Sequence, residues 1–353
     1  MSRIIIVSQG NEFSGINKYA INTHLALPDV SELFFLKFRK KLHEKYPIGT
    51  SVVGKFPFGN SSMNLNTIVP KLAYHEFVNY LKAQKEKGAI VHVASPHVLN
   101  IAPGLNNVVT IHDLSPFASF QGTNIETLFV RRLYSHYLQY PSILTPTDHV
   151  RNKIIEMEHI QEVTRIYPYV SNNFYPIINK KTYFRKKFSL PLDKILILSV
   201  STNIPRKNLI VIPPSLKLLG GDFRLVRVGE KIENSIQVHP KDEKEMNEIY
   251  NACDIFISTS LDEGFGYPVV EALRAGMLVA VSDIPVHREI LGSFGVYFKS
   301  SSPLDVSEGI KEAFLRIDDP YKHRVKWLSK FEFSSFKINM KRFYEHKKIQ
   351  LGE

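Results

Sequence analysis

The stretch STSLDEGFGYPVVEALRAG at residues 258–276 decides how the second half of this chain folds. It follows the apolar segment 253–258, which predicts a buried strand. Pro268 suits the first turn of a helix and Gly276 suits its C-terminal end, so a helix is predicted near 268–275. Two glycines stand between strand and helix, where they let the backbone approach a ligand closely. The segment therefore predicts a strand, a ligand-binding loop and a helix in succession.

Two acidic residues accompany this helix start. The free N–H groups at the start of a helix bind anions, and a diphosphate is the anion that we expect here. Glu263 lies in the loop and Glu271 lies one turn into the helix, so both carboxylates are predicted to accept hydrogen bonds from hydroxyls of one bound molecule. Taken singly, the same residues are equally consistent with a helix cap and a structural glutamate.

Short β-branched runs alternate with helical patterns along the whole chain. Strands are predicted at 3–8, 89–94, 108–111, 142–145, 194–200, 223–228, 253–258, 277–282 and 295–298. Helices are predicted near 14–27, 70–87, 123–140, 207–219, 243–251, 268–275 and 304–316. This alternation implies parallel sheets with right-handed crossovers, hence an α/β chain with two Rossmann-like domains. Proline and asparagine cluster at 168–193, so we expect domains at 1–170 and 171–330.

Composition narrows the functional classes. The chain has 353 residues, a net charge of +11 and one cysteine, Cys253, which rules out an internal disulfide. No stretch approaches the roughly 20 apolar residues of a membrane-spanning helix, and the N-terminal sequence is not that of a signal peptide, so we expect a cytoplasmic protein. No Asp-x-Asp pair follows a strand and the histidines show no metal-ligand spacing, so no metal and no cofactor are expected.

Two basic runs stand out, at 34–46 and 180–187. The first interleaves cations with aromatic residues: Phe34, Phe35, Lys37, Phe38, Arg39, Lys40, Lys41, Lys45 and Tyr46. One hypothesis is peripheral contact with an anionic membrane that presents a lipid-linked acceptor. The alternative is that 34–36 form a buried strand and the lysines keep the protein soluble. The net charge divides evenly between the two halves of the chain and neither half is a basic arm, so no nucleic-acid partner is expected.

Residues 263–276 resemble the E-x7-E segment of the family-4 retaining glycosyltransferases, whose pattern is close to E-G-F-G-L-P-x-x-E-A-x-x-x-G. Tyr267 stands where the family usually has leucine. The resemblance implies that the segment binds a nucleotide-diphosphate sugar, with Glu263 at the donor sugar and Glu271 at the ribose. It implies donor contacts for Glu263, Gly264, Phe265, Gly266 and Glu271.

The segment PRKNL at 205–209 is similar to a second segment of the same family, whose basic side chains reach the donor phosphates. Arg206 and Lys207 are the residues implied here, and cations at this place would stabilise the charge of a departing diphosphate. Some members have a glycine and a further arginine just after the preceding strand. Ser201 and Thr202 stand there in this chain, so one phosphate contact is expected to be missing.

Three further segments extend the resemblance to nearly the whole chain. The sequence HDLSP at 112–116 is similar to the family's H-D-x-x-P segment and implies a catalytic and acceptor-side role for His112, with Asp113 on the acceptor side. Gly15 corresponds to the glycine of the loop that opens the first helix, which implies that the backbone there approaches the donor phosphate or the acceptor and makes Gly15 a donor-binding residue. Glu289 occupies the place of a glutamate near the nucleotide, with a surface ion pair to Arg288 as the alternative.

The resemblance implies the GT-B architecture, in which two Rossmann-like domains with parallel sheets face each other across a cleft and the reaction occurs between them. It also implies that a helix within 331–353 crosses back to the first domain. The expected activity is transfer of a hexosyl group, with retention, from a UDP- or GDP-linked sugar to a hydroxyl of a glycan or glycolipid. The alternatives are a phosphorylase of the same fold and a non-catalytic protein that binds a nucleotide or polyanion.

Overall fold

The computed structural model describes residues 3–9, 14–36, 50–53, 75–95, 108–114, 142–157, 162–316 and 321–350. The chain divides into two compact units. The first contains the described residues up to Tyr169 and those from Phe333 onward, and the second is Val170–Glu332. The helix predicted at 123–140 and the basic residues at 37–46 lie outside the described residues.

The first unit contains a parallel sheet of seven described strands in the order β3-β2-β1-β4-β5-β6-β7. The strands are β1 Ile4–Gln9, β2 Ser31–Leu36, β3 Thr50–Val53, β4 Ile90–Val93, β5 Val108–Thr110, β6 Ile143–Thr145 and β7 Val163–Arg165. The described helices that this unit contains before residue 170 are α1 Gly15–Ala26, α2 His75–Glu86 and α3 Asp148–Glu156. The apolar run of β1 is buried throughout, as expected of a central strand covered on both faces.

The second unit contains a parallel sheet of six strands in the order β10-β9-β8-β11-β12-β13. The strands are β8 Ile195–Val200, β9 Phe223–Val228, β10 Ser235–Val238, β11 Ile255–Ser258, β12 Leu278–Ser282 and β13 Gly295–Phe298. The helices of this unit are α4 Lys181–Lys187, α5 Ile212–Leu219, α6 Glu243–Ala252, α7 Tyr267–Arg274, α8 Pro285–Leu291, α9 Pro303–Leu315 and α10 Tyr321–Leu328. The expected α/β class with two Rossmann-like units is therefore confirmed.

The loop before α7 and the end of α7 depend on glycine. Gly266 precedes the helix at φ +84°, and Pro268 lies in the first turn. Gly276 follows the helix at φ +86°, where an added Cβ would lie 3.0 Å from the Cγ of Pro176. Both glycines therefore adopt a backbone conformation that other residues rarely take.

The predicted helix at 207–219 is wrong in its first part. Pro205–Lys207 and Leu209–Val211 are two single 3-10 turns, and α5 begins only at Ile212. The two turns meet at Asn208, whose φ of +47° is left-handed and interrupts any continuous helix. The Asn208 side chain donates to the Ser300 carbonyl at 2.7 Å, which holds this bend in place.

The two basic runs have different surroundings. In β2, Phe35 is fully buried, and the Phe34 ring lies 5.1 Å from that of Phe77. Two aromatic residues of the membrane hypothesis are thus core residues, while the lysines of that run lie outside the described part. In α4, Arg185 is buried and donates to Asp254 at 2.6 Å, and Lys187 is paired with Glu248. Residues of the second basic run therefore form hydrogen bonds and ion pairs within the second unit.

The last helix, α11 Phe333–Gln350, belongs to the first unit and packs on α1. Phe336 and Met340 are buried in the core that contains β1. The Tyr344 hydroxyl is hydrogen-bonded to Nδ1 of His92 at 2.6 Å, and Nε2 of His92 is bonded to Thr110 at 2.7 Å. A buried polar cluster therefore holds the end of this helix against β4 and β5.

Candidate functional site

The C-terminal ends of three neighbouring strands of the second sheet bring polar side chains together. Lys207 follows β8, Glu263 follows β11, and Ser282 ends β12. In parallel sheets ligands bind at this edge, outside the carboxyl ends of the strands. A depression of about 300 Å³ lies there, lined among others by Ser199, Ser201, Lys207, Ser260, Glu263 and Gly266.

Glu263 is the centre of the cluster. It is buried, and its two carboxylate oxygens accept hydrogen bonds from three side chains. Arg206 Nη1 donates to Oε2 at 2.8 Å, while Lys207 Nζ and the Ser260 hydroxyl donate to Oε1, the latter at 2.7 Å. A second bond from Arg206 Nη1 to the Asp262 carbonyl at 2.7 Å fixes the guanidinium against the loop. The carboxylate is thus held in one orientation.

The charge of Glu263 follows from these contacts. Burial alone would raise the pKa of this carboxyl, but the positive charges of Lys207 and Arg206 and the hydrogen bonds from Lys207 and Ser260 outweigh it, and the pKa falls to about 2. Glu263 is therefore ionised at neutral pH. It can accept hydrogen bonds or stabilise positive charge, but it has no proton to donate.

Ser260 is held by a buried chain of hydrogen bonds that continues through Ser282 to His287. The Ser282 hydroxyl donates to the Ser260 carbonyl at 2.5 Å. Nδ1 of His287, on α8, lies 2.8 Å from the Ser282 carbonyl, so this nitrogen carries the hydrogen. His287 is fully buried, and burial lowers its pKa, so the ring is neutral at neutral pH. The chain orients the loop that carries Glu263.

Other predicted residues of this unit lie elsewhere. Glu271 is buried in α7, where its Oε2 accepts from the Tyr250 hydroxyl at 2.9 Å. Phe265 packs its ring 5.5 Å from that of Phe331, so its side chain is a packing group rather than part of the depression. Glu289 is half-buried on α8, and its carbonyl accepts from Lys330.

The structure also places two neighbours of these residues. Gly264 is buried beside Glu263. Arg288 is paired with Asp283 at 2.5 Å, so the predicted surface ion pair has a different acid.

The predicted residues of the first unit lie at the start of α1 and just after β5. Gly15 is the first residue of α1, and the Ser14 hydroxyl caps that helix by accepting from the Asn17 N–H at 3.2 Å. Nε2 of His112 donates to the Ala94 carbonyl at 2.7 Å, and its ring is 5.3 Å from that of Tyr19 in an edge-to-face contact. Asp113 follows and is half-buried. His112 is thus oriented by its neighbours.

Sequence reasoning missed the serines and the histidine that support the cluster. Ser260 and Ser282 look like ordinary polar residues at strand ends, and His287 stands two positions before Glu289 without a motif of its own. A signal was present, because polar residues at the carboxyl ends of adjacent parallel strands point to a shared site. The residues that these side chains contact depend on which strands are neighbours in the sheet, and the sequence alone does not give that order.

Within the described part of the chain, no cluster of three or more histidine, cysteine, aspartate or glutamate side chains is arranged to hold a metal ion. Nor does any described helix have the length and apolarity needed to cross a membrane.

Comparison with known proteins identifies the class of enzyme. Residues 180–327, which lie within the second unit, match the family model described as Glycosyl transferases group 1. The chain is a glycosyltransferase. The O-antigen chain mannosyltransferase RfbU of Salmonella typhimurium is 21% identical to this glycosyltransferase over 357 residues, or 93% of this chain and 95% of that protein.

A second mannosyltransferase and two solved structures are also similar. The serotype-specific mannosyltransferase WbdA of Escherichia coli is 27% identical over 130 residues, 31% of this chain and 16% of that protein. Anabaena HepE, in complex with UDP and glucose, superposes on the glycosyltransferase with a TM-score of 0.77 at 14% identity, over 98% of this chain and 100% of that one. Sucrose-phosphate synthase from Thermosynechococcus elongatus has a TM-score of 0.75 at 15% identity, over 98% of both chains. The fold is therefore GT-B, as predicted.

Proposed function

We propose that this glycosyltransferase moves a hexosyl group from a nucleotide-diphosphate sugar to a hydroxyl of a glycan or glycolipid, with retention of configuration. The observation that carries the proposal is the cluster of Lys207, Arg206 and Glu263 at the ends of β8 and β11. Two cations against one carboxylate leave one positive charge beside a depression that Ser199, Ser201 and Ser260 also line. Such a site attracts a diphosphate.

Each residue of the cluster has a distinct role in this proposal. Lys207 lines the depression and stabilises the charge that grows on the departing nucleoside diphosphate. Arg206 orients Glu263 and adds positive charge from behind. Glu263 is ionised, so it accepts hydrogen bonds from the donor sugar and stabilises the positive charge that develops at the anomeric carbon. The acceptor hydroxyl attacks the anomeric carbon from the face that the diphosphate leaves, and its proton passes to the departing diphosphate.

The relatives support the donor and acceptor classes. HepE was solved with UDP and glucose, and RfbU and WbdA are mannosyltransferases of O-antigen or serotype-specific synthesis by their names. We therefore propose a UDP- or GDP-linked hexose as donor and a growing glycan, free or lipid-linked, as acceptor. In the first unit, His112 and Asp113 are proposed to act on the acceptor side, and Gly15 is proposed to let the backbone approach the donor.

The donor can be tested by thermal stabilisation with UDP-, GDP- and ADP-linked sugars. A ligand at about 100 times its dissociation constant adds about 2.7 kcal/mol to the free energy of unfolding, which is easily seen as a shift in Tm. We expect one nucleotide class to stabilise the protein clearly more than the others. No stabilisation by any of them would refute the proposal.

The phosphorylase alternative is separated by a second measurement. With the stabilising donor and an acceptor mixture, release of nucleoside diphosphate should proceed in phosphate-free buffer. A strict requirement for inorganic phosphate, with sugar phosphate as the product, would instead identify a phosphorylase.

A further inference from the structure

An arginine is completely buried beneath the candidate donor site. Arg227 lies on β9, directly opposite Ser199 of β8 in the parallel register, and none of its side chain is exposed. Burial lowers its pKa, while the charge of Glu230 acts in the opposite direction. A buried guanidinium is costly unless its N–H groups are hydrogen-bonded, so the acceptors of Arg227 show what it is for.

Arg227 donates mainly to the end of β8. Its Nη1 donates to the Ser199 hydroxyl at 2.8 Å and to the Ser201 hydroxyl at 3.2 Å, and its Nη2 donates to the Ser201 carbonyl at 2.7 Å. Longer contacts of 3.4 Å reach the Glu230 carbonyl. All hydrogen bonds that Arg227 makes to the described residues therefore end on neutral oxygens. No carboxylate in that part of the chain neutralises its charge directly.

These bonds determine what the two serines can do. A hydroxyl has one hydrogen to donate and two lone pairs that accept. Because the oxygens of Ser199 and Ser201 accept from Arg227, their hydrogens must point to another partner. Both serines line the same depression as Lys207 and Glu263. A hydroxyl that accepts from a cation is polarised and becomes a stronger donor.

The neighbouring loop is built to keep this arrangement rigid. Gly229 has φ +124°, and an added Cβ would lie only 2.1 Å from the Ser201 carbonyl oxygen. The loop after β9 therefore packs directly on the loop after β8. Glu230 accepts from the Asn203 N–H at 2.8 Å and joins the two loops a second time. The serine hydroxyls are thus held in position before any ligand arrives.

We propose that the hydroxyls of Ser199 and Ser201, polarised from behind by Arg227, form an anion subsite for a phosphate oxygen of the donor diphosphate. Arg227 is the positioning residue of this subsite, and the serines make the contact. The proposal rests on the donor class proposed above. It adds a buried cation that reaches the ligand only through two neutral side chains.

The test measures binding of inorganic pyrophosphate and of UDP and GDP by isothermal titration calorimetry. Ser199→Ala and Ser201→Ala each remove one donor, and we expect the affinity for pyrophosphate and for the nucleoside diphosphate that binds to fall about 10-fold in each, as for a hydrogen bond to a charged group. Ser215→Ala is the matched control, because Ser215 is a buried serine of α5 that donates to the Val211 carbonyl. It should bind as the unchanged protein does.

Arg227 is tested by comparing Arg227→Lys with Arg227→Gln, with the Tm of both recorded. Lysine keeps the charge, so it should retain more pyrophosphate affinity than glutamine, and the difference should shrink at high salt. Equal losses in the two variants would make Arg227 a purely structural residue and overturn its part of the proposal.

The outcomes separate this proposal from the proposed function. Unchanged pyrophosphate affinity in both serine variants, or no binding of pyrophosphate or nucleoside diphosphates by the unchanged protein, would overturn the subsite. Serine-dependent pyrophosphate binding without turnover of any nucleotide sugar would leave the subsite standing and refute the proposed function instead.

Discussion

Both units bury a polar cluster at their sheet, but the two clusters differ in charge. In the first unit His92 is bonded to Thr110 and Tyr344, and burial lowers the pKa of its ring to about 3, so every member is neutral at neutral pH. In the second unit Glu263 is bonded to two cations and its pKa is about 2, so every ionisable member is charged.

The difference separates packing from chemistry. A neutral cluster whose groups are hydrogen-bonded can be buried at little cost in free energy. Such a cluster is sufficient to hold α11 against the sheet. A buried ion pair gives little or no net stability over apolar residues of the same size. A charged cluster that opens onto a depression therefore indicates a ligand, and perturbed carboxyl groups are common at such sites. The following measurements test whether the charged cluster of the second unit has a chemical role and the neutral cluster of the first unit a structural one.

The largest effect is expected for Lys207→Ala. Removing one preorganised stabiliser of leaving-group charge should lower kcat by about 10² to 10³. Arg206→Ala should lose less, because Arg206 does not line the depression. Lys217→Ala is the control, since Lys217 is exposed and paired only with Glu233. Normal turnover in Lys207→Ala would show that the charged cluster has no chemical role.

Glu263→Gln should lose stability in a pH-dependent way. The folded pKa of about 2 lies below the ordinary value of 4.5, so the charged form stabilises the fold above about pH 4.5, and this contribution of roughly 3 kcal/mol is lost as the pH falls towards 2. The difference in unfolding free energy between the two proteins should therefore narrow below pH 4.5. Denaturant unfolding at pH 7, 5, 4 and 3 measures it. A difference that stays constant would contradict the assignment.

Tyr344→Phe should affect stability without affecting chemistry. It leaves Nδ1 of His92 without this hydrogen bond and should cost roughly 1 to 2 kcal/mol, seen as a lower Tm. Turnover at a temperature where both proteins are folded should be unchanged. Tyr183→Phe, at an exposed position on α4, is the control for loss of a hydroxyl. A fall in kcat that exceeds the loss of folded protein would show that the neutral cluster also serves catalysis.

The smallest effect is expected from chelation. Side chains supply the positive charge of the proposed site, so saturating EDTA should leave turnover unchanged. Activity that disappears in EDTA and returns with magnesium or manganese would show that the charged cluster is completed by a metal ion.

The fold could be predicted where apolar runs are long, and the missed strands show the limit. Three of the four missed strands, β3, β7 and β10, lie at the edges of their sheets as described. They have three or four residues each, and an edge strand forms because its neighbour offers hydrogen bonds. The fourth, β2, covers Ser31–Leu36, of which the sequence predicts only residues 34–36 as a strand, in the alternative to membrane contact.

The site could be predicted where a motif names its residues. Two motif segments predict Glu263, Arg206 and Lys207 as site residues. Glu263 stands 57 positions from Arg206 and 56 from Lys207, and the structure brings both cations into contact with it. Arg227 and His287 were not chosen, because their importance depends on which strands are neighbours. Phe265 belongs to the motif but its ring packs in the interior, since a sequence pattern does not tell which fixed positions serve the fold.

The return of α11 to the first unit affects the order in which the chain can fold during synthesis. Val170–Glu332 is one uninterrupted segment, so the second unit has its whole sequence before α11 is made. The contact between His92 and Tyr344 instead joins residues 252 positions apart. Contacts so distant in sequence form late, because the intervening chain must first be made and brought together. The N-terminal part of the first unit is therefore synthesised first, but this unit cannot complete its core until α11 has been made.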